Sequence, residues 1–218
     1  MSNLAGLIEH TLLKPDCSLE EVRRLCDEAT QQGFVSVCIP PFFVRDAKRA
    51  LGDDDNRVRV ATVIGFPMGY TAIAAKSEEI RRALDEGADE IDAVLNIAAV
   101  KSGNWNHVRH DVDGIARAIA IRGRTSKLIL ECGLLTEAEI RQGVEMAREV
   151  DFHYLKTGTG FHGHPATPDM VRLLKSLAGE KMKIKASGGI RTRTGAEALV
   201  KAGADRLGTS ASLAIVQG

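Results

Sequence analysis

"AGADRLGTS" occupies residues 202–210, and its first half is echoed at 86–91 by "EGADEI". In both places an amphipathic stretch stops at a glycine and an apolar run begins, the punctuation of a helix passing into a strand. Apolar runs at 7–13, 34–39, 57–65, 90–96, 127–132, 152–157, 183–188 and 206–210 alternate with stretches of helical periodicity. Ser18 with Glu21 predicts a capping box on a helix that ends at Gly33, and a proline opens the next helix within "PPFFVRDAKRAL". Further helices are expected around 72–86 and 105–121, after the Thr136–Glu139 cap, from Thr167–Pro168, around 194–202, and in a short stretch at the end. Strands alternating with helices imply parallel pairing through right-handed crossovers. Eight such units predict a (β/α)8 barrel, read as one α/β domain over residues 1–218. An open doubly wound sheet is the alternative. It would announce nucleotide binding by G-x-G-x-x-G after an early strand, and none stands there.

Composition narrows the function classes. Net charge is zero, so no global basic field recruits nucleic acid or an anionic membrane, and neither is an expected partner. No stretch reaches the roughly 18–20 apolar residues that span a bilayer. The first ten residues lack the basic start and apolar run of a secretion signal. Cys17, Cys26, Cys38 and Cys132 show no C-x-x-C spacing, which weakens zinc and redox readings. A reduced, cytoplasmic protein is expected.

Barrel enzymes carry their chemistry at the C-terminal strand ends. Those ends present Glu9, Cys38, Asp92, Glu131, Lys156 and Lys185. A single lysine near a strand end is usually solvated or salt-bridged. Two at matching depth on strands six and seven are another matter. Adjacent strands lie about 4.8 Å apart. Two ammonium groups at about 5 Å repel by roughly 3 kcal/mol at an effective dielectric near 20, about 2 pKa units. One of the two is therefore expected to be partly neutral near pH 7, as an imine-forming nucleophile requires. Lys183 shares the parity of Lys185 in "KIK", and parity does not choose between them. Asp92, between Ile91 and Ala93, is either a proton carrier or half of a structural salt bridge. "SGGIR" (187–191) and "GTS" (208–210) follow strands seven and eight, where barrels often bind phosphate on glycine-rich loops. His162 and His164 form H-x-H in a loop without a third ligand at motif spacing, so no metal is expected.

In order along the chain, "HTLLKPD", "ATVIGFPMG", "EGADEIDAVLN", "LKTGTGF", "KASGGIRT" and "AGADRLGTS" resemble the deoxyribose-phosphate aldolase family. The resemblance implies a class I, cofactor-free aldolase that cleaves 2-deoxy-D-ribose 5-phosphate to D-glyceraldehyde 3-phosphate and acetaldehyde. It implies a homodimer or homotetramer whose partners are a small phosphosugar and an aldehyde. It also implies that Lys156 forms the Schiff base, that Lys185 lowers its pKa, and that Asp92 relays protons. Gly160, Gly188, Gly189, Arg191, Gly208 and Ser210 match the phosphate site, and Glu9, Thr11, Cys38 and Thr157 are expected substrate contacts. The sequence departs from the family at Glu9 (usually Asp), Pro40, Gly158 (usually Ser), the His162–His164 loop, Lys183 and Ala211. These departures leave open a related class I aldolase for an unphosphorylated or different aldehyde. Of other classes, a non-catalytic phosphosugar-binding paralogue or a metal-dependent aldolase or isomerase using the two histidines stays open.

Overall fold

A computed structural model of the chain describes residues 4–52 and 58–217. Residue 57 of the expected third strand, and both ends of the expected 1–218 domain, lie outside these. The strands are β1 Ile8–Thr11, β2 Ser36–Ile39, β3 Arg59–Ile64, β4 Glu90–Val94, β5 Thr125–Ile129, β6 Tyr154–Lys156, β7 Lys183–Ser187 and β8 Arg206–Thr209. Each pairs in parallel with the next, and β8 returns to β1 to close the barrel. The expected (β/α)8 architecture is the one found.

The helices are α1 Leu19–Gln32, α2 Val44–Leu51, α3 Ile73–Asp85, α4 Ile97–Lys101, α5 Trp105–Ala120, α6 Glu137–Glu149, α7 Pro168–Ala178, α8 Arg193–Lys201 and α9 Ser212–Gln217. The capping boxes of Ser18 with Glu21 and of Thr136 with Glu139 both form, and Thr167 caps α7 with Pro168 in its first turn. Two elements differ from expectation. The helix opened by proline begins as a 3-10 turn, Pro41–Phe43, before α2. Helix α4 was not foreseen, because five residues are too few to display a helical period. Its cap is the Asn96 side chain, which accepts from the Ala99 N–H.

Strand alternation sorts the core into two parts. Ile91, Ala93, Leu128, Leu155, Ile184, Ala186 and Leu207 join the large cluster under the helices. Inside the barrel, Cys38, Ala61 and Val63 form a small apolar wall on β2 and β3, packed by Leu13 and Phe66. The same interior buries Glu9, Glu90, Asp92, Lys127, Lys156 and Lys185, and that asymmetry positions the site. No helix among the described residues is long and apolar enough to cross a membrane.

Behind the barrel, α3 and α5 are pinned by a fully buried ion pair, Lys76 Nζ to Asp111 Oδ2 at 2.6 Å. Lys76 also donates to the Val94 carbonyl at the end of β4. Burial pushes the Lys76 ammonium down and the Asp111 carboxyl up, against their mutual attraction. Lys76→Met leaves a buried carboxylate without its counter-ion and is expected to lower stability by about 3–5 kcal/mol. In urea unfolding, the double variant Lys76→Met/Asp111→Leu should recover most of that loss. A double variant no more stable than the single one would contradict the pairing.

Candidate active site

Register brings the charged residues to one level. Asp92 lies opposite Lys127 across β4 and β5, and Lys156 opposite Lys185 across β6 and β7. Glu9 lies opposite Gly208 across β1 and β8. A Cβ on Gly208 would sit 2.9 Å from Lys185 Cε and 3.0 Å from Ser187 Cβ. The missing side chain is what lets Lys185 reach across β8 to Glu9.

Asp92 is the hub. Its Oδ2 accepts from Lys156 at 2.8 Å and Lys185 at 2.7 Å, and its Oδ1 accepts from Lys127 at 2.7 Å. Lys185 also donates to Glu9 Oε2, and Lys127 reaches Glu9 at 3.4 Å and Glu90 at 2.6 Å. Burial alone would push the Asp92 carboxyl up. The charges of Lys127, Lys156 and Lys185 outweigh it and hold the group well below the usual carboxylate range. Burial would likewise lower Lys185 and Lys127. Asp92 and Glu9, joined at Lys127 by Glu90, win and raise both ammonium groups. At neutral pH, then, Asp92 is an anion and Lys127 and Lys185 are cations.

Of the two neighbouring lysines, one of which was expected to be partly neutral, this makes Lys185 the charged one. Repulsion from Lys156 does not prevail at Lys185, because Asp92 sits between them and Glu9 adds a second anion. The three lysines differ in their anionic company: Lys127 meets three carboxylates, Lys185 two and Lys156 one. Lys156 is also the one of the three that lines a cavity.

That cavity, of about 420 Å³, opens at the C-terminal strand ends. Thr11, Leu12, Leu13, Gly160, Gly188, Gly189, Arg191, Gly208 and Ser210 contribute to its wall. Gly160 and Gly188 adopt positive φ (82° and 103°), and a Cβ on either would lie 3.4 Å from the other's Cα. The two loops thus touch backbone to backbone, an approach that side chains would spoil. The charged lining residues are Lys14, Lys156 and Arg191, and among the described residues no carboxylate lines the cavity. Its chemistry suits a small ligand with a carbonyl at one end and an anion at the other.

Of the residues singled out from sequence, Lys156, Thr11, Gly160, Gly188, Gly189, Arg191, Gly208 and Ser210 line this cavity. Asp92, Lys185, Glu9 and Cys38 are buried in the barrel behind it. Burial raises the Cys38 thiol pKa. Thr157 is turned aside: its hydroxyl donates to the Ser187 carbonyl and accepts from the Ser187 N–H, clasping β6 to β7. Lys183 shares the inward parity but sits exposed at the opposite end of β7, with its Nζ 5.9 Å from the Tyr154 ring centre. Depth separates the lysines of "KIK". Gly158 is explained by Glu131, whose Oε1 would lie 2.5 Å from a Cβ there while its Oε2 accepts from Thr159. Lys127 and Glu90 were missed. Lys127 opens its apolar run, and a search confined to strand ends passes over it. Preceded by Thr125 and Ser126, it carries no sequence signal of its burial.

His162 and His164 do not line the cavity, and His162 Nε2 lies 3.9 Å from Glu131 Oε2. Among the described residues, the one group of three ligand atoms close enough to share a metal is Glu9, Cys38 and Asp92. Lys127, Lys156 and Lys185 already occupy those carboxylates, and their charge opposes a cation there.

The chain is similar to known proteins over nearly its whole length. A family model described as DeoC/LacD family aldolase matches residues 6–218. A deoxyribose-phosphate aldolase of Desulfitobacterium hafniense is 46% identical over 214 residues, covering 98% of this chain and 97% of the relative. That of Thermococcus gammatolerans is 43% identical over 216 residues, covering 99% and 96%. Among solved structures, the tetrameric deoxyribose phosphate aldolase of Aeropyrum pernix superposes with a TM-score of 0.89 at 33% identity, covering 98% of this chain and 89% of its own.

Proposed function

The chain belongs to the DeoC/LacD family of aldolases, and from that premise we propose that it reversibly cleaves 2-deoxy-D-ribose 5-phosphate to D-glyceraldehyde 3-phosphate and acetaldehyde. The observation that carries the mechanism is that Lys156 alone among the three clustered lysines lines the cavity while touching Asp92. Its amine adds to the substrate aldehyde and water leaves, giving an iminium. The bond between C2 and C3 then breaks. Its electron pair flows into the iminium as the C3 hydroxyl gives up its proton, leaving an enamine on Lys156. Protonation of the enamine carbon and hydrolysis release acetaldehyde and restore the amine. Asp92, held as an anion by Lys127 and Lys185, carries these protons with Lys185 as the neighbouring acid. No cofactor enters the scheme. Gly160, Gly188, Gly189, Arg191, Gly208 and Ser210 hold the phosphate at the far end, with backbone N–H groups and one guanidinium.

A cavity whose charged lining is entirely cationic favours the phosphate ester over the free sugar. A charge-assisted hydrogen bond contributes about 1.5–3 kcal/mol, so two of them predict a preference of roughly 10²–10⁴-fold in kcat/KM. Assaying both sugars tests the substrate, and equal turnover would point instead to an aldolase for unphosphorylated aldehydes. Borohydride trapping with acetaldehyde tests the chemistry. A two-carbon adduct is expected on the peptide bearing Lys156, and phosphosugar binding with no adduct would indicate a non-catalytic paralogue. Kinship with the Aeropyrum pernix tetramer supports a homodimer or homotetramer. A cytoplasmic setting fits the free thiols of Cys17, Cys26, Cys38 and Cys132.

A further inference from the structure

The anion end of the cavity has more cation than its glycine loops supply. Lys14, in the loop after β1, lines the same space as Gly188, Gly189, Arg191, Gly208 and Ser210. The topology explains why. β1 is hydrogen-bonded to β8, with His10 level with Thr209, so the loop leaving β1 runs beside the one carrying Ser210. Arg191 follows β7 on the other flank of β8. Lys14 and Arg191 thus stand on either side of the cradle. With Lys156 engaged at the carbonyl, they are the two charged lining residues left for the anion.

Lys14 is not locked in place. Its side chain is 47% exposed and pairs with Glu21 Oε1 at 2.8 Å, with Asp16 Oδ1 at 3.8 Å. Glu21 has a separate task, accepting at Oε2 from the Ser18 N–H in the capping box of α1. That bond is made at the carboxylate oxygen that Lys14 does not meet. A half-exposed ion pair is weakly held, and a phosphate dianion offers a lysine more charge than one carboxylate does. The flexible four-carbon stem and three donors of lysine suit such an exchange.

We propose that Lys14 is a second phosphate ligand and determinant of specificity, held in reserve by Glu21 and transferred to the substrate phosphate on binding. This rests on the phosphosugar reading above. The test compares kcat/KM for deoxyribose 5-phosphate and for deoxyribose in wild type, Lys14→Gln and Glu21→Gln, with inorganic phosphate as a competitive inhibitor. In Lys14→Gln the ratio of ester to free sugar should fall about tenfold, with the loss in KM, and inhibition by phosphate should weaken to match. In Glu21→Gln, which retains a capping side chain but frees the lysine, phosphate should inhibit about two- to threefold more strongly. Opposite signs in the two variants are not what a structural role produces. An equal loss on both sugars, an unchanged ratio in Lys14→Gln, or weaker phosphate inhibition in Glu21→Gln would overturn the assignment. A wild type that shows no preference for the ester would overturn the substrate reading itself. A wild-type preference that survives Lys14→Gln intact would remove only Lys14.

Discussion

Lys156→Ala is expected to lower kcat by about 10⁴-fold or more, a loss of at least about 5 kcal/mol of transition-state stabilisation. The reason is chemical. Without the amine there is no iminium to receive the electron pair of the breaking bond, and the remaining groups can only bind the sugar. The fold should survive, because Asp92 keeps Lys127 and Lys185 as partners and Glu9 keeps Lys185. The borohydride adduct with acetaldehyde should vanish in the same variant. A persisting adduct on Lys185 or Lys127 would transfer the nucleophile's role to that residue and sink the assignment.

Asp92→Asn should damage both rate and stability. Loss of the proton carrier is expected to slow turnover by about 10²–10⁴-fold. Removing the anion shared by three buried lysines should lower stability by about 3–5 kcal/mol. The pH dependence gives a separate check. The Asp92 pKa is depressed in the fold from an ordinary value of 3.8. Its stabilisation is therefore fully present above about pH 4 and is lost as pH falls through the lower folded value. Denaturation curves should show a stability gap between wild type and Asp92→Asn that is constant from neutrality down to about pH 4 and narrows below it. A gap that closes at higher pH would mean that Asp92 is not held as an anion by its lysines.

Much of this site was legible before any tertiary contact was known. Lys156 stood out because an ammonium beside Tyr154 and Leu155 contradicts its apolar strand, and Asp92 stood out for the same reason. The glycine loops at 187–191 and 208–210 were legible through their place after strands seven and eight. Lys127 was not, since its own strand gives no sign that barrel register sets it level with Asp92. Thr157 looked like a substrate contact beside the reactive lysine, yet its hydroxyl closes a clasp to Ser187 that only the pairing of β6 with β7 creates. Lys14 drew no notice in the sequence beyond its place in "HTLLKPD", and only the closing β1–β8 pair sets its loop beside Ser210.

The order of strands and longer helices, the caps that start α1, α6 and α7, and the barrel are written in the sequence. Those follow from local periodicity, turn chemistry and the number of strand–helix units, all of which act between near neighbours in the chain. How the charges are shared arises from tertiary contacts alone: that Asp92 serves three lysines, that Lys185 rather than Lys183 reaches the carboxylates, and that Lys156 is the lysine left facing the cavity. Coulomb energy and desolvation depend on distance and burial through space. Residues as far apart in sequence as Glu9 and Lys185 acquire theirs only when β8 closes on β1.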